Sequence, residues 1–185
     1  MSDSIDRHLE KRLDGALVFD GKLLKVWRDK VSREDAPGQQ FTREYVRHQG
    51  ACMVIAITDS GKLILERQYR YPLDLILLEV PAGKIDPGED PEVCARRELQ
   101  EETGFNAREW RRLGTVHPAV GYSDEGIHLF LAQGLEYVGQ NLDAGEYLEV
   151  VEMSLDEAEA AVLSGEITDG KTISAIFWAR KVLQG

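Results

Sequence analysis

Residues 83–105 read "GKIDPGEDPEVCARRELQEETGF", and the reading of this stretch decides the fold. It opens as a loop in which Gly83 and Gly88 let the backbone come close to a neighbour. The period then changes. Asp90 is a good N-cap, Pro91 suits the first helical position, and Val93, Ala95 and Leu99 supply apolar positions. Gly104 stands just past the helix C-terminus. The last turns therefore carry Glu98 and Glu102 on one face, with Glu101 beside them. This placement is locally unfavourable. Like charges one turn apart cost about 0.2–0.5 kcal/mol, and acids at the negative end of the helix dipole cost about 0.3–1 kcal/mol each. Glu89 adds another acid in the loop. An acidic helix face is ordinarily just solvated. Clustered oxygens beside an ordered loop are also what Mg²⁺ or Mn²⁺ prefers, and a bound dication would offset the repulsion and attract a phosphate.

The rest of the composition narrows the setting. A chain of 185 residues, 43% hydrophobic and 30% charged, is long enough and mixed enough for one globular domain with a small appendage. No apolar run reaches the roughly 18 residues a membrane span needs. The polar start, Met1 to Asp14, does not read as a secretory signal. Cys52 and Cys94 sit in apolar patterns without metal-site spacing, which reads as two buried thiols in a reducing cytoplasm. A formal net charge of −11 argues against a nucleic-acid or anionic-membrane partner. An anionic substrate would then need a divalent cation, or a local cluster of arginines, between it and the protein.

Outward from the opening stretch, the elements are hairpin-like. Residues 14 to 48 alternate apolar and polar around Asp20-Gly21, a strong hairpin signal, and predict a small antiparallel sheet of their own. The first dozen residues read as a solvated N-terminus. "ACMVIAITDSGKLILERQYR" predicts a second hairpin, turning near Asp59-Ser60-Gly61, whose first strand is apolar enough to be central. "LLEVPAG" is a short strand ending at Pro81. Further strands are expected near Arg111 to His117, Ile127 to Gln133 and Tyr147 to Met153. Ser154 caps a helix over "LDEAEAAVLSG". A final amphipathic helix follows, with Ile173, Ile176, Phe177 and Val182 on or near one face. The expected class is α+β: a mixed sheet between helices, an α/β/α sandwich, over residues 49–185, plus an N-terminal antiparallel β-sheet over residues 1–48.

The opening stretch also carries a resemblance. It matches the Nudix box, G-x5-E-x7-R-E-U-x-E-E-x-G-U with U apolar, at every fixed position: Gly83, Glu89, Arg97, Glu98, Leu99, Glu101, Glu102, Gly104 and Phe105. The chain thus resembles the Nudix hydrolases, which cleave a nucleoside diphosphate linked to another moiety using divalent cations. The resemblance implies a Nudix fold, with two to three Mg²⁺ or Mn²⁺ ions per site. It makes Glu98 and Glu102 the first metal ligands. Glu101 becomes a further ligand or the group that positions water, Glu89 lies nearby, and the carbonyl of Ala82 is another ligand. Arg97 orients the glutamates. Glu146 matches a loop glutamate that contacts metal.

The flanks, "RQYRYPLDLILLEVPAGKID" and "HPAVGYSDEGIHLFLA", are similar to those of ADP-ribose and nucleoside-diphosphate-sugar pyrophosphatases. That likeness implies hydrolysis of ADP-ribose to AMP and ribose 5-phosphate. GDP-mannose or another nucleotide sugar is the alternative substrate. A non-hydrolytic ADP-ribose-binding Nudix module is the alternative of another class, and the intact box weighs against it. The likeness implies a domain-swapped homodimer whose N-terminal sheet helps build the partner's adenosine pocket, in the cytoplasmic setting that the two cysteines suggest. Arg67 or Arg70 would grip the diphosphate, Arg70 aligning better, and Arg43 would reach the nucleotide across the dimer. Trp27 or Tyr45 would stack on adenine, against the plain reading of each as a core or interface aromatic. Glu125 would hydrogen-bond the terminal ribose or a water, and His117 reads as a strand-end histidine. For the general base, Asp143, Glu146 and Glu101 remain open, because Ala144 stands where similar enzymes often carry an acid.

Overall fold

The alternating segments ahead of residue 48 form strands β1 (Glu10–Asp20), β2 (Lys25–Arg33) and β3 (Phe41–Arg47), paired antiparallel in that order. The computed structural model, which describes residues 8–142, 145 and 147–183, divides the chain into two compact units. This sheet belongs to the first, Met1–His48 with Ala119–Glu125. Asp20-Gly21 makes the expected hairpin: Asp20 pairs with Lys25, and the Gly21 amide donates to the Leu24 carbonyl at 2.9 Å. The first strand starts earlier than expected, inside the stretch read as a solvated terminus. Glu10 lies opposite Arg33, and its carboxylate is gripped by Arg43 of β3, so charges that look like solvated polarity in the sequence pair across strands. Segment 119–125 joins this unit through the Val46 amide, which donates to the Tyr122 carbonyl at 2.8 Å, and the His48 amide, which donates to Asp124 Oδ1 at 2.8 Å.

The second unit, Gln49–Pro118 with Gly126–Gly185, holds β4 (Ala51–Ala56), β5 (Lys62–Arg70), β6 (Leu75–Glu79), β7 (Ala82–Lys84), α1 (Pro91–Thr103), β8 (Phe105–Val116), β9 (Ile127–Tyr137), β10 (Leu148–Ser154), α2 (Leu155–Ser164) and α3 (Gly170–Leu183). Every residue of β4 is buried, because each of its faces meets a different core. Met53 and Ile55 pack with Leu129, Leu131, Ala175, Ile176 and Ala179 on the α2–α3 side. Cys52, Val54 and Ala56 pack with Phe130, Ala132, Cys94, Ala95 and Leu99 on the α1 side. A strand covered on both faces needs an unbroken apolar run rather than alternation. The sheet order is β7-β4-β9-β8, with β4 and β9 parallel and the other pairs antiparallel. This is the expected α+β arrangement, a mixed sheet between helices.

Three details differ from the sequence expectation. The turn near Asp59 closes, with the Thr58 amide donating to the Lys62 carbonyl at 2.9 Å, but β4 and β5 do not form a hairpin ladder. They share a single bridge, Ile57 with Leu63, and then diverge, β5 entering a second sheet of order β10-β5-β6. Both edges of β4 are already taken by β7 and β9. Of the expected apolar face of α3, Ile176 is buried and Val182 packs against the core, but Ile173 and Phe177 are exposed, Phe177 to 60%, and Thr172, Ala175 and Ala179 complete the buried stripe. Small residues let the helix backbone approach the sheet, and Phe177 would hold it away. Finally, β8 begins immediately after α1 and is longer than expected.

The ends of α1 match the sequence closely. Asp90 accepts from the Glu92 amide at 2.8 Å, and Gly104 caps the C-terminus with φ 78°, its amide donating to the Gln100 carbonyl. A side chain on Gly104 would adopt a left-handed conformation and meet the Gln140 amide nitrogen at 2.9 Å. Gly104→Ala is therefore expected to lower unfolding stability by at least about 1 kcal/mol, measured as a shift in the urea midpoint at unchanged m-value.

Candidate active site

The α1 side of the mixed sheet brings the acidic residues of the opening stretch together. Cys94, Ala95 and Leu99 hold α1 against β4, and β7 lies along the other flank of β4. This seats Glu98 directly over Gly83. A Cβ on Gly83 would lie 1.9 Å from the Glu98 carboxyl carbon, so only glycine leaves the space that the carboxylate fills. One helical turn on, Glu102 is 4% exposed and its Oε2 accepts from the Ala82 amide at 2.9 Å. Glu89 caps its own loop by accepting from the Asp86 amide at 2.9 Å.

Arg97 ties these acids together. Its Nε and Nη2 donate to the two oxygens of Glu89 at 2.9 and 3.0 Å. Its Nη1 donates to Glu98 Oε1 at 2.7 Å and Glu101 Oε2 at 3.0 Å, and its Nη2 also reaches the Lys84 carbonyl at 3.2 Å. The hydrogen bonds to Arg97 pull the Glu89 carboxyl down to about 2. In return, Glu89 foremost raises the Arg97 guanidinium, so it stays charged throughout the working pH range. Beneath the acids, the Cys52 thiol and burial push the Cys94 thiol up, which keeps it protonated and unreactive.

The carbonyls at the negative end of α1 are also satisfied. Beyond the Gly104 amide, Gln140 Nε2 donates to the Glu102 carbonyl and the Asn141 amide to the Glu101 carbonyl at 3.0 Å. Gln100 reaches forward to the Gly139 carbonyl at 3.0 Å. The segment 139–141 is thus fastened to the helix end just ahead of the loop that carries Asp143, Ala144 and Glu146. Those three lie outside the described residues.

The donor set fits a hard divalent cation. Four carboxylates and one guanidinium leave the cluster negative, every donor is oxygen, and Gly83 opens a cradle at Glu98 that any side chain would fill. Among the described residues, no three acidic, histidine or cysteine side chains are gathered closely enough to close on an ion as they stand. Glu98 and Glu101 turn instead on to Arg97.

The remaining sequence candidates have partners of their own. On β5, Arg67 makes a surface pair with Glu149 at 3.3 Å, while Arg70 forms a two-pronged bond with Glu79 at 2.7 and 2.8 Å. In the first unit, Trp27 and Tyr45 are cross-strand neighbours under the Arg47 guanidinium, which lies 5.0 Å from the Trp27 ring. The Tyr45 hydroxyl donates to buried Asp29 at 3.1 Å, Arg43 is held by Glu10, and Glu125 lies 3.7 Å from His48. Sequence reading passed over Glu79 and Lys171. The signal was there: Glu79 is an acid in the apolar run "LILLEV", and Lys171 stands in the polar head, "DGKT", of the last helix. Burial alone would raise the Glu79 carboxyl, but Arg70 and Lys171 hold it below the usual range.

A family model described as the NUDIX domain matches residues 46–175. The chain is 39% identical over 169 residues to an ADP-ribose pyrophosphatase of Bacillus subtilis, covering 90% of each chain. It is 40% identical over 169 residues, again 90% of each chain, to a methanol dehydrogenase activator of Bacillus methanolicus. A crystal structure of an ADP compounds hydrolase superposes with a TM-score of 0.85 at 28% identity, covering 95% of both chains.

The Arg97–Glu89 pairing predicts a pH signature. A carboxyl depressed on folding stabilises the protein above its unfolded value, about 4.5, and loses that contribution as pH falls towards about 2. Glu89→Gln is expected to be less stable than wild type at neutral pH, with the difference shrinking across that acid window. Thermal unfolding in chelator at several pH values checks this; a pH-independent difference would contradict it.

Proposed function

The chain belongs to the NUDIX family, and from that premise we propose that it hydrolyses the pyrophosphate bond of ADP-ribose, giving AMP and ribose 5-phosphate. It is a Nudix-type pyrophosphohydrolase, and enzymes of this family generally depend on divalent metal. The observation that carries the reading is the gathered box: Glu98 seated over Gly83, Glu102 fixed on the Ala82 amide, and Arg97 spanning Glu89, Glu98 and Glu101. The likeness to an ADP-ribose pyrophosphatase over nearly the whole chain supports the substrate. GDP-mannose or another nucleotide sugar is the alternative within the same chemistry. A non-hydrolytic ADP-ribose-binding module is the alternative outside it, and the intact glutamate set weighs against that.

Glu98 and Glu102 are the first ligands for the metal, with Glu101, Glu89, Glu146 and the Ala82 carbonyl completing the donors for two to three Mg²⁺ or Mn²⁺ ions. When bound, such ions lower the pKa of a coordinated water and offset charge on the pyrophosphate oxygens. Arg97 keeps Glu89 ionised and holds Glu98 and Glu101 in place. Glu101, Asp143 or Glu146 takes the proton of the attacking water. Arg70 spends two of its five N–H donors on Glu79, and the remaining edge of this side chain, 38% exposed, meets the diphosphate. Arg67 has the weaker claim because it is paired across the sheet with Glu149.

The first unit supplies the nucleoside. Trp27 or Tyr45 stacks on adenine, Arg43 reaches the nucleotide, and Glu125 bonds the terminal ribose or a water. Leu13, Leu17, Phe19 and Leu23 are exposed on this unit, and exposed apolar side chains in such number support a second copy of the chain as their cover, in a domain-swapped homodimer. No described helix is long and apolar enough to cross a membrane. The two buried free cysteines support a cytoplasmic setting.

The test is a chromatographic assay with Mg²⁺ and ADP-ribose, with GDP-mannose and UDP-glucose alongside. AMP appearing fastest from ADP-ribose is the expected outcome. Faster cleavage of GDP-mannose moves the substrate and keeps the chemistry. Metal-dependent nucleotide binding without any product would identify a binding module instead. Glu98→Gln is expected to reduce turnover by at least about 10²-fold with an unchanged circular dichroism spectrum, and near-wild-type turnover in that variant would sink the metal assignment.

A further inference from the structure

The first turn of α3 is bonded to the strand that leads into the site. Asp169 caps the helix, its Oδ2 accepting from the Thr172 amide at 2.9 Å and the Thr172 hydroxyl at 2.6 Å. That hydroxyl oxygen accepts in turn from the Val80 amide at 3.0 Å. Between Asp169 and Thr172, Lys171 turns inward. Its ammonium donates to Asp169 Oδ2 at 2.9 Å and to Glu79 Oε2, the oxygen that Arg70 Nη2 also holds at 2.8 Å. The Glu79 side chain is 1% exposed and that of Lys171 13% exposed.

We propose that Lys171 is a positioning residue for substrate: by fixing Glu79 from the helix side, it sets the Arg70 guanidinium for the diphosphate. This rests on the reading that Arg70 grips the substrate. A structural pin between α3 and β6 is already provided by Thr172 and Val80. Lysine seldom leaves water unless it is paired, and here it is paired with the carboxylate that holds Arg70 Nε and Nη2. The register adds a second reason. Glu66 lies directly opposite Glu79 across β5 and β6, and both are 1% exposed. The Arg70 guanidinium, bonded to Glu79, is also attracted towards Glu66, so a lone cation facing both side chains would be drawn inward. Lys171 shares the Glu79 oxygen and leaves the outer edge of Arg70 turned to solvent.

The experiment compares Lys171→Met, Lys171→Arg, Arg70→Ala and the Arg70→Ala/Lys171→Met double variant. KM and kcat are measured for ADP-ribose, and the Kd of ADP by calorimetry. Lys171→Met is expected to raise KM and Kd about tenfold with kcat within about twofold, the split that marks lost binding rather than lost active protein. Lys171→Arg restores both. In the Arg70→Ala background the Lys171 change adds nothing further. An unchanged KM and Kd, a fall in kcat alone, or a rise that simply adds to that of Arg70→Ala overturns the proposal. If Lys171→Met does not fold, Lys171→Gln carries the same comparison. Wild-type turnover is read separately: absent hydrolysis of ADP-ribose defeats the substrate reading, while the coupling of Lys171 to Arg70 is still decided by ADP binding.

Discussion

The site depends on a missing side chain. Where α1 passes β7, the Glu98 carboxylate occupies the volume that any Cβ at Gly83 would claim. That closeness is enforced from below by Cys94, Ala95 and Leu99, which are completely buried against Cys52, Val54 and Ala56 of the central strand. Core packing thus sets the helix height to within a fraction of a side chain, and glycine is what allows it. Once the helix is there, Glu102 reaches the Ala82 amide, and Arg97 reaches the Lys84 carbonyl and three glutamates.

The same packing explains how acids are tolerated at the negative end of a helix. The last carbonyls of α1 receive amide donors from Gly104, Gln140 and Asn141, which blunt the local dipole. Arg97 offsets part of the carboxylate charge, and the remainder is what a divalent cation would complement. Satisfying the helix end also fixes segment 139–141, so one set of hydrogen bonds both stabilises α1 and fastens that segment to it.

Two acids buried elsewhere follow the rule that an interior charge needs a partner. Glu79 is held by Arg70 and Lys171, and Asp29 by Arg12 and the Tyr45 hydroxyl. The first cluster joins β5 and β6 to the distant α3, and the second ties together all three strands of the N-terminal sheet. In the sequence Asp29 looks like an ordinary charge on an alternating strand, and Glu79 stands out as an acid in an apolar run without revealing its partners.

Local rules were enough to read α1 from Asp90 to Gly104, the hairpin at Asp20-Gly21, the capping of α2 by Ser154 and the burial of β4, because caps, turns and apolar runs act over a few residues. The spacing of Gly83, Glu89, Arg97, Glu98, Glu101 and Glu102 likewise sufficed for the family and its chemistry. Only the tertiary structure decided that β4 and β5 part into different sheets, since that depends on β7 and β9 having taken both edges of β4. Only the structure chose the small-residue stripe of α3 over Phe177, because closeness to the sheet outweighs hydrophobicity there. It alone paired Glu79 with Lys171. A sequence records the charge of each residue, but the partner that makes a buried charge tolerable is settled when distant strands and helices pack together.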